Sequence, residues 1–331
     1  MGGDHGPKVV VPAALAALKR HPSLELCLVG DEAAVRAALS AAGGLTDERL
    51  TLRHAEERVE MHDKPSMALR SKRNSSMRYA IDMVKAGEVS ACVSAGNTGA
   101  LMAIARFVLK TLPGIDRPAI CAMLPGLRQS TRVLDLGANV DSSSEELFRF
   151  AVMGSVISAA IDGRPNPRVA LLNIGEEEIK GNDAVKQTAV LLEKSSLNYQ
   201  GFAEGNDIFS GEYDVIVCDG FVGNVALKAA EGVASMLSQI ARTELTRTWW
   251  RKLGALCAAP SLRSLRDRAD PRRYNGASLL GLRGIVIKSH GSADDVSFGR
   301  AIDEAVSEVR QAVPERISAT LEQLLVIEQE S

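Results

Sequence analysis

Short apolar runs alternate with longer amphipathic stretches along most of this chain. The segments 24–30, 89–96 and 168–175 are rich in Val, Leu, Ile or Cys, and each precedes a stretch with helical spacing of apolar residues. Apolar strands followed by helices form βα units, whose parallel strands are buried on both faces. The pattern therefore predicts a three-layer α/β fold with a Rossmann-like, mostly parallel sheet. Further predicted strands lie at 117–124, 132–137, 213–220 and 283–291.

Charge and cysteine content exclude several classes of protein. The chain has 39 Lys and Arg against 41 Asp and Glu, so no overall positive charge favours nucleic acid as a partner. Its five cysteines form no CxxC pair, so we expect reduced thiols and neither a zinc site nor disulfides. No apolar run reaches the length of about 18 residues that a membrane span needs. We expect a cytoplasmic protein.

Glycine and small polar residues follow four of the predicted strands. These loops read SAGNTG at 94–99, DLGAN at 135–139, NIGEEE at 173–178 and CDGFVGN at 218–224. In open α/β sheets ligands bind at the carboxyl edge, where helix N-termini offer free N–H groups and a positive dipole end. The loops therefore predict an anion-binding crevice at that edge. None matches GxxxxGK[ST] or GxGxxG, so a nucleotide or a dehydrogenase cofactor is not indicated.

Six longer motifs follow one another between residue 1 and about residue 312. They read MGGDHGP, SAGNTGALM, LDLGANVD, LLNIGEEEIKGND, VCDGFVGNVALK and GASLLGLRGIVIKSHG. In sequence and in order these motifs closely resemble the PlsX family of phosphate acyltransferases. The resemblance implies transfer of a long-chain fatty acyl group from acyl carrier protein to inorganic phosphate, giving acyl phosphate for phosphatidic acid synthesis. It further implies a fold like that of phosphotransacetylases and isocitrate-dehydrogenase-like enzymes, a homodimer, and the membrane glycerol-3-phosphate acyltransferase as a functional partner.

The resemblance also bears on the domain organisation. In the family a short strand precedes the motif MGGDHGP, so we expect residues 2–7 to form the turn after a first strand that is missing here. We otherwise expect one catalytic α/β domain over 1–331, with a helical excursion over about 236–275.

The reaction that the resemblance implies is phosphorolysis of a thioester. It needs groups that hold a phosphate dianion and stabilise an oxyanion, and we expect it to use no protein nucleophile, no metal and no cofactor. The family resemblance makes Lys180 the strongest catalytic candidate, although a surface lysine in an acidic loop is the simpler interpretation without it. Asn224 either donates to the oxyanion or caps a helix. Asp4 and His5, in a glycine-flanked loop, are candidates for orienting and moving a proton. Without the resemblance they are a turn aspartate and a solvent-exposed histidine.

Phosphate-binding candidates come from a basic segment and from the strand-end loops. The segment 68–80 suits phosphate or the acidic surface of the carrier protein, or it is simply a solvated basic loop. A helix cap is the alternative role for the polar residues that follow the strand at 89–96. The candidates are Arg70, Lys72, Ser75, Ser76, Ser94, Asn97, Thr98, Asn139, Gly175, Gly220, Gly223, Ser289 and His290.

The segment 245–274 differs from the rest of the chain. It contains both tryptophans and many arginines, a composition typical of an amphipathic element at a membrane interface. A protruding helix pair that forms a dimer interface and docks the carrier protein is a compatible interpretation. We expect peripheral membrane association, and the candidate contact residues are Trp249, Trp250, Arg251, Lys252 and Leu253.

Two other functions remain open on the sequence alone. One is a phosphotransacetylase-like enzyme that uses acyl-CoA. The other is a non-catalytic, membrane-associated scaffold of lipid synthesis.

Overall fold

An eight-stranded sheet and a separate two-stranded sheet form the framework of the protein. The computed structural model describes residues 2–43, 47–268 and 270–330. The strands are β1 (Leu26–Gly30), β2 (Leu50–His54), β3 (Ala91–Ser94), β4 (Ala119–Leu124), β5 (Thr131–Leu134), β6 (Val169–Leu172), β7 (Tyr199–Ala203), β8 (Val215–Val217), β9 (Ala277–Leu280) and β10 (Ile285–Lys288). The large sheet has the order β3-β10-β9-β4-β5-β8-β6-β7, and β1 pairs with β2.

Helices cover both faces of the large sheet. They are α1 (Pro7–Arg20), α2 (Glu32–Ala41), α3 (Pro65–Ser71), α4 (Ser76–Ala86), α5 (Thr98–Leu109), α6 (Ser144–Ile161), α7 (Asp183–Glu193), α8 (Gly220–Thr246), α9 (Trp249–Cys257), α10 (Ala259–Arg268), α11 (Asp295–Gln311) and α12 (Val313–Glu330). One apolar cluster joins the sheet to α4, α5 and the start of α8, and another joins its opposite face to α6 and α12. The predicted three-layer α/β fold is confirmed.

Parallel pairing predominates, but it is interrupted in the middle of the large sheet. Five of the eight pairings between the described strands are parallel, and the other three are β10 with β9, β9 with β4, and β4 with β5. Because the three successive pairings from β10 to β5 are antiparallel, β3 and β10 run in the direction opposite to β5, β8 and β6. The expectation that all strand-end loops meet at one carboxyl edge is therefore wrong, because β4 and β5 form a hairpin and not a βα unit.

Helix α8 connects the two edges of the sheet and then leaves the domain. It begins directly after β8, and Ala226 and Leu227 pack on the apolar cluster beneath α5. Every residue from 231 to 244 is exposed, and α9 and α10 follow. The second half of α8 therefore stands clear of the sheet. In the described part of the chain, no helix combines the length and apolar character needed to cross a membrane.

The carboxylate of Asp135 fixes the loop that follows β5. Asp135 is fully buried and accepts hydrogen bonds from the backbone N–H groups of Ile120, Gly137, Ala138 and Asn139, at 2.7–3.2 Å. The side-chain amide of Asn139 donates to it as well, at 3.0 Å. Burial raises the pKa of Asp135, and these donors oppose part of that effect. One side chain thus pairs three backbone N–H groups of a loop without regular secondary structure and one N–H group of β4.

We expect Asp135→Ala to reduce the free energy of unfolding by more than about 3 kcal/mol, because each orphaned buried donor costs about 1–3 kcal/mol. Urea denaturation followed by circular dichroism measures this loss. The control is Asp31→Ala, which removes a single hydrogen bond at the N-cap of α2 and costs about 1 kcal/mol. Equal losses for the two variants would contradict the role given to Asp135.

Candidate active site

Residues 2–6, the N-terminal loop, lie against the carboxyl ends of β3 and β10. The backbone N–H of Asp4 donates to the carbonyl of Gly291 at 2.9 Å. Gly3 has a φ of +92°, and a Cβ placed there would lie 3.3 Å from the carbonyl oxygen of Ala95. Glycine is needed at this position because both the backbone angle and the space exclude a side chain. The loop presents the exposed side chains of Asp4 and His5 at this edge.

Strands β3 and β10 bring five more predicted residues to the same edge. The backbone N–H of Ser289 donates to the carbonyl of Ser94 at 2.8 Å. Asn97 caps α5, and its amide donates to the carbonyl of Met61 at 2.8 Å. The side chain of Asn97 therefore holds the preceding loop in place as well as the helix. Thr98, the first residue of α5, is exposed.

The two polar residues after β10 have partners within the fold. The buried hydroxyl of Ser289 accepts a hydrogen bond from the amide of Asn275 at 2.8 Å. The exposed ring of His290 lies 2.8 Å through Nδ1 from the hydroxyl of Ser292. His290 is thus open to solvent at this edge, whereas Ser289 is structural in this arrangement.

The basic segment lies on α3 and at the start of α4. Ser75 is fully buried, accepts from the backbone N–H of Arg78 and donates to the carbonyl of Lys72 at 2.7 Å. Its hydroxyl is therefore engaged in capping α4. Ser76 is buried in the first turn of the same helix, and Arg70 is exposed on α3.

The start of α8 lies at the opposite edge, packed against the loop held by Asp135. A Cβ at Gly220 would collide with the carbonyl of Asn139, and one at Gly223 would collide with the carbonyl of Asp135. Both glycines are therefore required for the close approach of helix and loop. Asn139 itself is buried, and its amide also donates to the carbonyl of Pro118 at 2.9 Å.

Asn224 is exposed on the first turns of α8, beside Gly137. A Cβ at Gly137 would lie 3.5 Å from Oδ1 of Asn224, so the two residues are close neighbours. The cap of α8 is Asp219, which accepts from the backbone N–H groups of Phe221 and Val222 at 2.9 and 3.1 Å. The alternative role of Asn224 as a helix cap is therefore wrong, and its amide is not used to begin the helix.

Lys180 lies in the loop after β6, at the same edge as the start of α8, because β6 and β8 are parallel neighbours. Its ammonium lies 2.7 Å from the carboxylate of Glu177, and both side chains are about half exposed. This hydrogen bond raises the pKa of Lys180 and lowers that of Glu177, so both groups are charged at neutral pH. The aliphatic part of Lys180 lies over the buried Gly175, where a side chain would displace it.

The predicted residues that follow the strands thus form two groups at opposite edges, and α8 extends from one towards the other. The predicted residues of α3, α4 and α9 belong to neither group. Lys228 lies one turn after Asn224 on α8. Its positive charge is close enough to Lys288, at the end of β10, to lower the pKa of that lysine. Lys288 and Asp135 were not among the site residues predicted from the sequence. A lysine that ends the apolar run IVIK was the available signal for the first of them.

Comparison with known proteins agrees with this architecture. The chain matches the family described as "Fatty acid synthesis protein" over residues 1–316. It is 61% identical over 325 residues to a phosphate acyltransferase from Alkalilimnicola ehrlichii, covering 98% of this chain and 95% of that protein. It is 59% identical over 326 residues to a phosphate acyltransferase from Halorhodospira halophila, with coverage of 98% and 95%.

Solved structures support the fold class. A phosphotransacetylase from Streptococcus pyogenes superposes with a TM-score of 0.61 and 17% identity, covering 92% of this chain and 91% of that chain. The EutD phosphotransacetylase from Staphylococcus aureus gives 0.58 and 16%, covering 92% of each. At this identity the likeness concerns the fold alone. The match along nearly the whole chain shows that the protein belongs to the fatty acid synthesis protein family, the PlsX family, and is an enzyme of the acyltransferase class.

Proposed function

We propose that this enzyme transfers a long-chain fatty acyl group from the thioester of acyl carrier protein to inorganic phosphate. The observation that carries the proposal is the 61% identity to a phosphate acyltransferase over nearly the whole chain. The product, an acyl phosphate, is an activated acyl donor for phosphatidic acid synthesis. Its proposed consumer is the membrane glycerol-3-phosphate acyltransferase.

The proposed reaction is a phosphorolysis. A phosphate oxygen attacks the thioester carbonyl carbon and forms a C–O bond, which places negative charge on the carbonyl oxygen. Collapse of this tetrahedral intermediate breaks the C–S bond, and the departing thiolate of the carrier protein takes up a proton. The products are acyl phosphate and the free thiol, with no change of oxidation state.

The state of the cysteines supports phosphate as the nucleophile. Burial raises the pKa of Cys92 and Cys121 to about 12, and it raises the pKa of Cys218 further. A thiolate is the reactive form of cysteine, so these three buried thiols are poor nucleophiles at neutral pH. Direct attack by phosphate avoids an acylated enzyme.

The exposed polar side chains supply roles for the remaining steps. The ammonium of Lys180 neutralises negative charge on the phosphate or on the carbonyl oxygen. Its ion pair with Glu177 is exposed, so substrate can replace the glutamate as its partner. The amide of Asn224 donates to the developing oxyanion. His5, oriented by Asp4, supplies the proton to the leaving thiolate.

The test is to incubate the enzyme with long-chain acyl carrier protein and phosphate, and to detect acyl phosphate and the free carrier-protein thiol by mass spectrometry. We expect both products to form only when phosphate is present. Lys180→Ala should reduce kcat/KM about 100-fold or more, the loss typical of removing one donor to an oxyanion. Lys194→Ala, which changes an exposed lysine at the end of α7, should leave the rate unchanged.

The same assay separates the alternatives. Efficient turnover of acyl-CoA, with none of acyl carrier protein, would favour a phosphotransacetylase-like function. A stable acyl-enzyme formed without phosphate would contradict the proposed order of steps. Absence of product from either donor would contradict the proposed function.

We also propose that α9 contacts the membrane surface. Trp249 and Trp250 are 62% and 65% exposed, and their stacked rings have centroids 3.4 Å apart. Leu253 is exposed on the same helix, next to Arg251 and Lys252. Exposed tryptophan beside basic residues suits a helix lying in the interface of an anionic membrane.

Replacing Trp249 and Trp250 together by serine should reduce binding to vesicles containing phosphatidylglycerol by tenfold or more. Co-sedimentation with vesicles measures the bound fraction. The control is Leu127→Ser, which removes an apolar side chain that is 81% exposed in the turn between β4 and β5. Unchanged binding of the double variant would exclude α9 as the membrane contact.

A homodimer is proposed through the exposed half of α8. Val233, Met236, Leu237 and Ile240 are each more than half exposed, and their spacing places them in one stripe along the helix. Packing of this apolar stripe against the same stripe of a second copy removes it from water and so stabilises a dimer.

We expect sedimentation velocity at micromolar concentration to give about twice the chain mass of 35.3 kDa. Replacing Met236 and Leu237 by glutamate should yield monomers, because two charges would face each other across the interface. Leu127→Glu serves as the control and should remain dimeric. A monomeric native enzyme would refute the proposal.

A further inference from the structure

Lys288 is a buried lysine that neither the sequence motifs nor the roles proposed above explain. It ends β10 and is only 9% exposed. Ile285 and Ile287 pack towards α11, so the alternation of a strand directs Val286 and Lys288 to the opposite face, where Val286 joins the cluster under α5. Lys288 thus points to the face along which α8 runs.

The ammonium of Lys288 has few partners. Among the described residues, its one hydrogen bond is to the carbonyl of the adjacent Ser289, and it forms no ion pair. An ammonium has three donors, so two remain to be satisfied. A buried charge without a counter-ion is costly, and lysines are rarely buried unless they are paired. The arrangement therefore calls for an anion that the fold itself does not supply.

The surroundings of Lys288 connect the two groups of site residues. Asp4 of the N-terminal loop and Lys228 of α8 are the charged groups that act on its ammonium. The loop is fixed three residues beyond Lys288 by the hydrogen bond from Asp4 to Gly291. Lys228 lies four residues after Asn224, so both are on one face of α8. Burial lowers the pKa of Lys288 to about 8, and the positive charge of Lys228 adds to this effect while Asp4 opposes it.

We propose that Lys288 binds the inorganic phosphate substrate, donating its two remaining N–H groups to phosphate oxygens between the N-terminal loop and α8. This assignment rests on the proposed function. The phosphate is the missing counter-ion, and it lies between the Asp4–His5 pair and the helix that carries Asn224. Holding the nucleophile at a fixed point removes entropy from the bimolecular step.

The decisive variant is Lys288→Met, which keeps the length of the side chain and removes its charge. Replacing an unpaired buried cation by an apolar side chain is neutral or stabilising, so the variant should fold. We expect its KM for phosphate to rise at least tenfold, with less than a twofold change in the KM for the acyl donor. Lys194→Met is the matched control and should change neither constant.

A pH profile separates phosphate binding from a merely structural role. In the native enzyme the KM for phosphate should rise above about pH 8, as the ammonium loses its proton. Lys288→Arg should keep tight binding of phosphate and move this rise to higher pH, because a guanidinium remains charged. An unshifted profile in Lys288→Arg would refute the assignment.

A binding measurement keeps the assignment independent of turnover. Titration calorimetry with phosphate alone should give heat for the native enzyme and for Lys194→Met, but none for Lys288→Met. Equal binding to native enzyme and Lys288→Met refutes the role of Lys288 whether or not acyl phosphate is formed. Absence of acyl phosphate from any donor, with phosphate binding lost only in Lys288→Met, refutes the proposed function and leaves the anion site. A native enzyme that neither binds phosphate nor forms product refutes both.

Discussion

The carboxylate of Asp135 lies where three parts of the fold meet. It accepts hydrogen bonds from the N–H groups of β4 and of its own loop. Asp135 also contacts Gly220 and Gly223 in the first turn of α8. Without this carboxylate the buried N–H groups of Ile120 and Asn139 would be unpaired, which would destabilise the loop against which α8 packs. The position of Asn224 on α8 therefore depends on this one carboxylate. The edge near β8, where we propose that Asn224 and Lys180 act, is thus assembled around a buried side chain.

Opposite strand directions separate this fold from a simple open α/β sheet. In the simple case all loops that follow parallel strands share one edge, and the ligand lies there. Here β3 and β10 deliver the N-terminal loop, Ser94 and His290 to one edge, whereas β6 and β8 deliver Lys180 and Asn224 to the other. Because α8 crosses the covered face, a ligand lying along that helix can contact both groups. The buried Lys288 is the side chain that points into this region from the sheet.

The sequence predicted the layers and most strands of the sheet, because buried parallel strands leave continuous apolar runs. It missed β2, whose side chains are mostly exposed, β7, which contains a glycine with a φ of +88°, and the four-residue strand β9. It also missed the antiparallel pairing of β4 with β5, since an apolar strand carries no mark of its direction. The site candidates came mainly from family motifs, which identify residues but not which edge they occupy. Lys288 was not predicted as a site residue, because the argument for it depends on its burial, which is known only from the fold.

The hydrogen bond between Asp4 and Gly291 joins the N-terminal loop to a residue late in the chain, directly before α11 and α12. A contact of such sequence separation forms only after the intervening segments have been ordered, because closing a long loop is entropically costly. The N-terminal loop is made on the ribosome long before Gly291, the residue to which it docks. The edge that carries Asp4 and His5 should therefore form only after most of the chain has been synthesised.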